Sequence, residues 1–139
     1  MNAKHMLLTA ALLAAPALAC GGPGDLPKFN EATIETVSGW VADVDPFVRL
    51  ERNTRNGVKA TLTTDDDERI DVYLGPATFL DHHGFVVEKG DELAVTGSKV
   101  RYEGEDVIIA TVMSENGQRL KIRDADGRQA WRGFHRDRD

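Results

Sequence analysis

The chain has one cysteine, Cys20, so no intramolecular disulfide can form and the fold must be held by its core. Long apolar runs are missing. Beyond residue 20 no stretch approaches the roughly 20 apolar residues that a membrane-crossing helix requires. Long helical segments are missing too, which excludes a βαβ architecture. So are the signatures of catalysis: Ser38, Ser98 and Ser114 stand in no G-x-S-x-G context, and there is no H-E-x-x-H pair, P-loop or dinucleotide fingerprint. The many carboxylates do not identify a catalytic pair, which is a matter of geometry. The expectation is a non-enzymatic protein without a cofactor, a metal ion apart.

Positive charge is also scarce, with 17 Lys and Arg against 23 Asp and Glu and a formal net charge of −6. The deficit is uneven: residues 21–118 carry nine basic and nineteen acidic residues, whereas residues 119–139 carry seven basic and four acidic. Nucleic-acid affinity rests on neutralising phosphates, so an acidic body argues against DNA or RNA as the ligand.

What is present begins with an export signal. Residues 1–19 combine Lys4, an apolar run over residues 6–15 and the small-residue ending Ala17-Leu18-Ala19, the pattern of a secretory signal peptide. Cys20 follows directly. Two readings stay open: Cys20 is the acylated first residue of a lipoprotein, or an ordinary signal peptidase cuts after Ala19. Either way the product is periplasmic or lipid-anchored to the cell envelope, and Cys20 is the candidate lipidation site. Residues 20–30, rich in Gly and Pro, read as a flexible linker.

A domain over residues 31–131 follows as short β-type runs separated by turn residues. The first spans 33–45, with Gly39 suggesting a bulge or sharp bend. Residues 58–64 and 70–74 alternate apolar and polar residues, the period of strands with one buried face. Gly75-Pro76 is expected to break the third run, and 76–83 to form a short helix, stopped by Gly84, whose Phe79 and Leu80 plug the barrel. Strands over 92–100, 107–113 and 120–123 complete the set, with 107–113 the most buried. Residues 132–139 read as a basic tail, expected to be disordered. Three strands, a helical plug, then two or three strands is the order of an all-β, five- to six-stranded Greek-key barrel of the OB type.

Several elements carry a resemblance: Val37-Ser38-Gly39, Val72-Tyr73-Leu74-Gly75-Pro76 with Phe79-Leu80, the run GDELAVTGS from Gly90, Ile108-Ile109-Ala110, and Leu120-Lys121-Ile122-Arg123-Asp124 with Gly127 and Trp131. In these the chain resembles the small exported bacterial OB-fold (BOF) group and its uncharacterised periplasmic relatives. That resemblance implies an OB-fold binding module without a settled ligand.

The candidate ligand-binding face comprises Trp40, Phe47, Lys59, Tyr73 and Phe79, lying on strands two and three and the loops around 46–57 and 79–84; Tyr102 is a further aromatic near it. Trp40 and Tyr73 could together stack on a sugar, peptide or base, although each aromatic more readily suits a packed core or a hairpin. The expected partner is an envelope protein, an envelope polymer or a small ligand, bound by a monomer. A rival reading is a periplasmic metal-binding protein using Asp81, His82 and His83, since imidazole and carboxylate suit Zn, Cu or Ni. The acidic run 65–68 and the Asp124-x-Asp126-Gly127 element suit hairpin turns better than calcium loops. Trp131 with Arg132, Phe134, His135 and Arg136 interleaves aromatics and arginine, and Trp131 is read as closing the end of the barrel.

Overall fold

The computed structural model describes residues 26–50 and 56–132. The expected signal peptide, Cys20 and the tail from residue 133 lie outside the described residues. Six strands form one sheet: β1 (Ile34–Val48), β2 (Gly57–Thr63), β3 (Arg69–Pro76), β4 (Glu92–Tyr102), β5 (Glu105–Glu115) and β6 (Gln118–Lys121). Among the described residues one α-helix, α1 (Ala77–His82), stands between β3 and β4, and one turn of 3-10 helix (Glu31–Thr33) precedes β1. The sheet order β3-β2-β1-β4-β5 closes through a parallel pairing of residues 71–73 with 107–109, and β6 is added on β5. This is a closed five-stranded barrel of the OB type with an extra strand.

The alternating pattern of the sequence is realised through the register. Ala60 pairs with Val44 and Val72, and Leu62 with Val41 and Ile70, so these side chains share the barrel interior. Ala60, Leu62, Val72, Leu74, Val95 and Ile108 are fully enclosed there. In β5 the run 107–111 is buried without a break, as its continuous apolar character predicts.

β1 serves two neighbours. Residues 34–40 pair with β4 and residues 40–48 with β2, so Trp40 is the hand-over point. No register irregularity falls at Gly39; the shifts lie between Val41 and Asp43 and between Asp45 and Val48. Gly39 serves a close approach instead, because a Cβ there would stand 2.3 Å from the Thr63 carbonyl oxygen. Nor does Gly75-Pro76 break β3, which runs on to Pro76 paired with Gly57. Pro76 still caps α1, and Gly84, at φ +81, takes the left-handed conformation that ends it. Phe79 and Leu80 are buried as the expected plug.

The linker expected over residues 20–30 differs from 26 onward. Leu26 is buried and its N–H donates to the Leu50 carbonyl at 3.3 Å, while Phe29 packs against Gly127. Ser98 ties this segment down: its hydroxyl accepts the Asn30 N–H at 3.0 Å and donates to the Asn30 carbonyl at 2.9 Å. Apolar side chains within the Gly/Pro-rich stretch find a surface on the barrel.

Candidate functional site

The register defines an outer face on β1–β2–β3. Its rows are Trp40–Thr63–Arg69, Asp43–Thr61–Asp71 and Asp45–Lys59–Tyr73. Three expected site residues, Trp40, Lys59 and Tyr73, therefore share this face. Their neighbours Asp43, Asp45, Thr61, Arg69 and Asp71 were not singled out by sequence reasoning; counting alternate positions from Lys59 along β2 would have found Thr61. The centre of the face is tied together, with Thr61 Oγ1 donating to Asp71 Oδ1 at 2.6 Å and Lys59 Nζ standing 3.8 Å from Asp71 Oδ2.

The individual residues depart from a single stacking platform. Trp40 is 49% exposed, but Tyr73 is buried, its ring edge-on to Tyr102 with centroids 5.9 Å apart. They stand at diagonal corners of the face, separated by the Thr61 row and by strand β2, so one planar ligand cannot be sandwiched by both. Burial raises the Tyr73 phenol above its usual range, and Asp71, Tyr102, Glu103 and Asp45 add to it. The phenol thus stays protonated and is a hydrogen-bond donor rather than a phenolate. Phe47 lies within the second register shift of β1, between Asp45 and Val48, and is exposed. Phe79 does not reach the face at all: it is buried in α1, its ring 6.1 Å from that of Trp131 and 4.6 Å from that of His83.

Beside this face, β3 and β5 part before their parallel pairing begins, leaving a groove of about 650 Å³. Lys59, Arg69, Asp71, Lys99, Arg101 and Asp106 line it. Opposite charges meet there: Arg101 Nη1 donates to Asp106 Oδ1 at 3.1 Å, and Lys99 Nζ is 3.5 Å from Glu35 and 3.9 Å from Asp106. These exposed pairs contribute little stability, being screened by solvent.

The metal reading finds no ligand set. Among the described residues no three His, Cys, Asp or Glu are gathered to hold an ion. His82 and His83 are adjacent and their rings meet at 86°, centroids 5.2 Å apart, with His83 also against Phe79. With Asp81 the pair forms no group of three that could hold an ion.

A different carboxyl group is perturbed. Glu115, at the end of β5, has its pKa raised to about 7 by burial, by its hydrogen bond with Asp91 and by the negative charges of Asp91 and Glu88. Asp91 Oδ2 meanwhile accepts the Glu88 N–H at 2.9 Å. The folded value lies above the ordinary 4.5, so the stabilisation is fully present below about pH 4.5 and is lost as pH rises through about 7. Replacing Glu115 by Gln keeps a donor for Asp91 and removes the repulsion. Denaturation at two pH values should find E115Q more stable than wild type at pH 8, by about 1 kcal/mol or less after screening, and equal to it below pH 4.5. An equal difference at both pH values would show that the carboxyl titration is not responsible.

A small OB-type barrel presenting one open, charged sheet face is the class of protein that these features define. Residues 33–120 match the model of the MamS/MamX magnetosome protein family, and the chain belongs to that family. The match names this family and not the BOF group; the small barrel is seen in the structure of this chain itself. No curated protein matches the chain. Among solved structures the chain is similar to the OBody AM1L10 bound to hen egg-white lysozyme, at 17% identity and a TM-score of 0.46, covering 67% of this chain and 98% of that one.

Proposed function

We propose that the chain is an exported, non-enzymatic binding module of the envelope that acts through the outer face of β1–β2–β3. The family is named for the magnetosome, and we carry that setting over to this chain. The observation that carries the reading is the exposed Trp40 on the same sheet face as a hydrogen-bonded row of charged and hydroxyl side chains. An apolar ring half in water beside oriented polar groups is what a recognition surface requires, and OB barrels commonly bind through this part of the fold. Residues 1–19 support export, and Cys20 supports a lipid anchor, making the module periplasmic or membrane-tethered without a spanning helix.

Site-specific photo-crosslinking in the native host tests this. A photoreactive side chain at position 61 should yield a defined adduct, whereas one at position 119 on β6 should not. Adducts from both positions, or from neither, would overturn the assignment of the face. Fractionation of Cys20→Ser tests the anchor separately: transfer from membranes to the soluble fraction is expected, and an unchanged distribution would exclude it.

A further inference from the structure

We infer that the Trp40 end of this face binds an extended, arginine-rich segment of a partner protein. The inference deepens the reading above and rests on it, because it specifies what the proposed face takes.

The Trp40 side chain stacks on no aromatic ring and makes no hydrogen bond among the described residues, and almost half of the residue's surface is open. The register surrounds it with carboxylates. Glu92 is its direct partner on β4, Asp43 is the next outer residue on β1, and its β2 partner Thr63 leads into the exposed turn Asp65-Asp66-Asp67-Glu68. None of these six acids forms an ion pair among the described residues, and Arg69 is the single basic residue in the same rows. Unpaired negative charge around an open indole face attracts a cation and repels an anion.

The arrangement also selects among cations. A bare metal ion needs several oxygens converging on one point, and no such group of three exists among the described residues. Here the carboxylates are spread over two strands and a turn, which suits several charges distributed along a chain. Guanidinium groups fit both halves of the surface, since they stack flat on an indole and pair in a fork with carboxylates. At the far end of β1, Phe47 is 77% exposed and offers an apolar contact. Trp40 and Phe47 are about 20 Å apart along the strand, the reach of roughly six extended residues.

The test uses the full mature protein and a fluorescently labelled octapeptide alternating Arg and Ser, with its Glu-Ser counterpart as control. Polarisation should show saturable binding of the Arg peptide only, weakening as salt is raised. Trp40→Ala should weaken it about tenfold, Asp43→Asn and Glu68→Gln about threefold each, and Asp126→Asn not at all. Because Trp131 is buried, bound peptide should shield the part of the tryptophan emission quenched by acrylamide, a neutral quencher that the acidic surroundings do not exclude, and this part belongs to Trp40. Unchanged native emission of Trp131 in Trp40→Ala would show that the barrel is intact. Equal binding of the Glu peptide, or equal binding by Trp40→Ala, would overturn the inference. So would a large gain in affinity when residues 133–139 are deleted, which would make the chain's own basic end the occupant, or Trp40-dependent self-association, which would make it a second copy. If position 61 still crosslinks to a partner while the Arg peptide fails to bind, the binding-module reading stands and this inference falls; if crosslinking fails as well, both fall.

Discussion

Gly97→Ala is expected to cost about 3 kcal/mol or more, among the largest effects of any single methyl group in this barrel. An added Cβ would stand 2.1 Å from the Ile109 carbonyl oxygen and 2.8 Å from the Ala110 Cα, both backbone atoms of the neighbouring strand that no rotamer change can move. The closeness has a structural origin. Thr96 pairs with Val112 but Gly97 pairs with Ala110, so Thr111 is an extra residue in β5, and the bulge bends the strand across Gly97. The same bulge frees the Thr111 carbonyl to accept the N–H groups of Ile122 at 2.6 Å and Arg123 at 3.0 Å, which seats the segment after β6. Relieving the clash by pushing β4 from β5 would loosen that segment too. Urea denaturation checks this, with Gly75→Ala as the comparison: its Cβ would meet the Trp131 ring at 3.4 Å and Ile122 at 3.5 Å, ordinary contacts, and should change stability by less than about 1 kcal/mol. Equal losses in both variants would show that glycine freedom, rather than the approach of β5, is what matters.

Gly97 also shows where sequence reading stops. The run around it announces a strand, and alternation along β2 and β3 announces which side chains turn inward, because a period of two survives translation into three dimensions. A bulge is set by how two strands coil together, so neither the extra residue at Thr111 nor the close approach at Gly39 has a local signature beyond a glycine that fits several explanations. The site divides in the same way. Trp40, Lys59 and Tyr73 share a face because parity along strands two and three is legible, once the register of β1 is known. Their exposure is not legible, since it depends on Tyr102 packing edge-on to Tyr73 from β4 while Trp40 stays half open among the described residues. Phe79 carries the same ambiguity. A phenylalanine beside a helix stop suits a loop contact or a plug, and the decision lies with Trp131, more than fifty residues away in sequence. Asp81, His82 and His83 are contiguous in sequence, but contiguity does not by itself bring three donors to one point, and among the described residues no such group forms.

Trp131→Ala should remove about 3–5 kcal/mol, since a buried tryptophan leaves a large cavity. More than volume is at stake. The ring lies 5% exposed against Phe79 and carries the Arg123 guanidinium 4.9 Å from its centroid. Arg123 is itself 1% exposed, and its Nη1 donates to the Ala110 carbonyl at 3.0 Å. Enclosing a charge is tolerable when its hydrogen bonds are made and an aromatic face lies over it. Removing the indole takes away that face and opens a route for water beside the carbonyl on which Arg123 depends. Trp131→Phe, which keeps a ring for Phe79, should lose about 1–2 kcal/mol. A double-mutant cycle in urea separates cavity from charge: Arg123→Met and Trp131→Ala should couple by about 1 kcal/mol, and additive losses would mean that the ring acts by volume alone. Both residues lie beyond the 33–120 span of the family match, so the plug of α1 is completed by chain that the match does not include. Stability and the Trp40 face are then separable, and Trp131→Ala, compared below its unfolding transition, should leave crosslinking from position 61 unchanged.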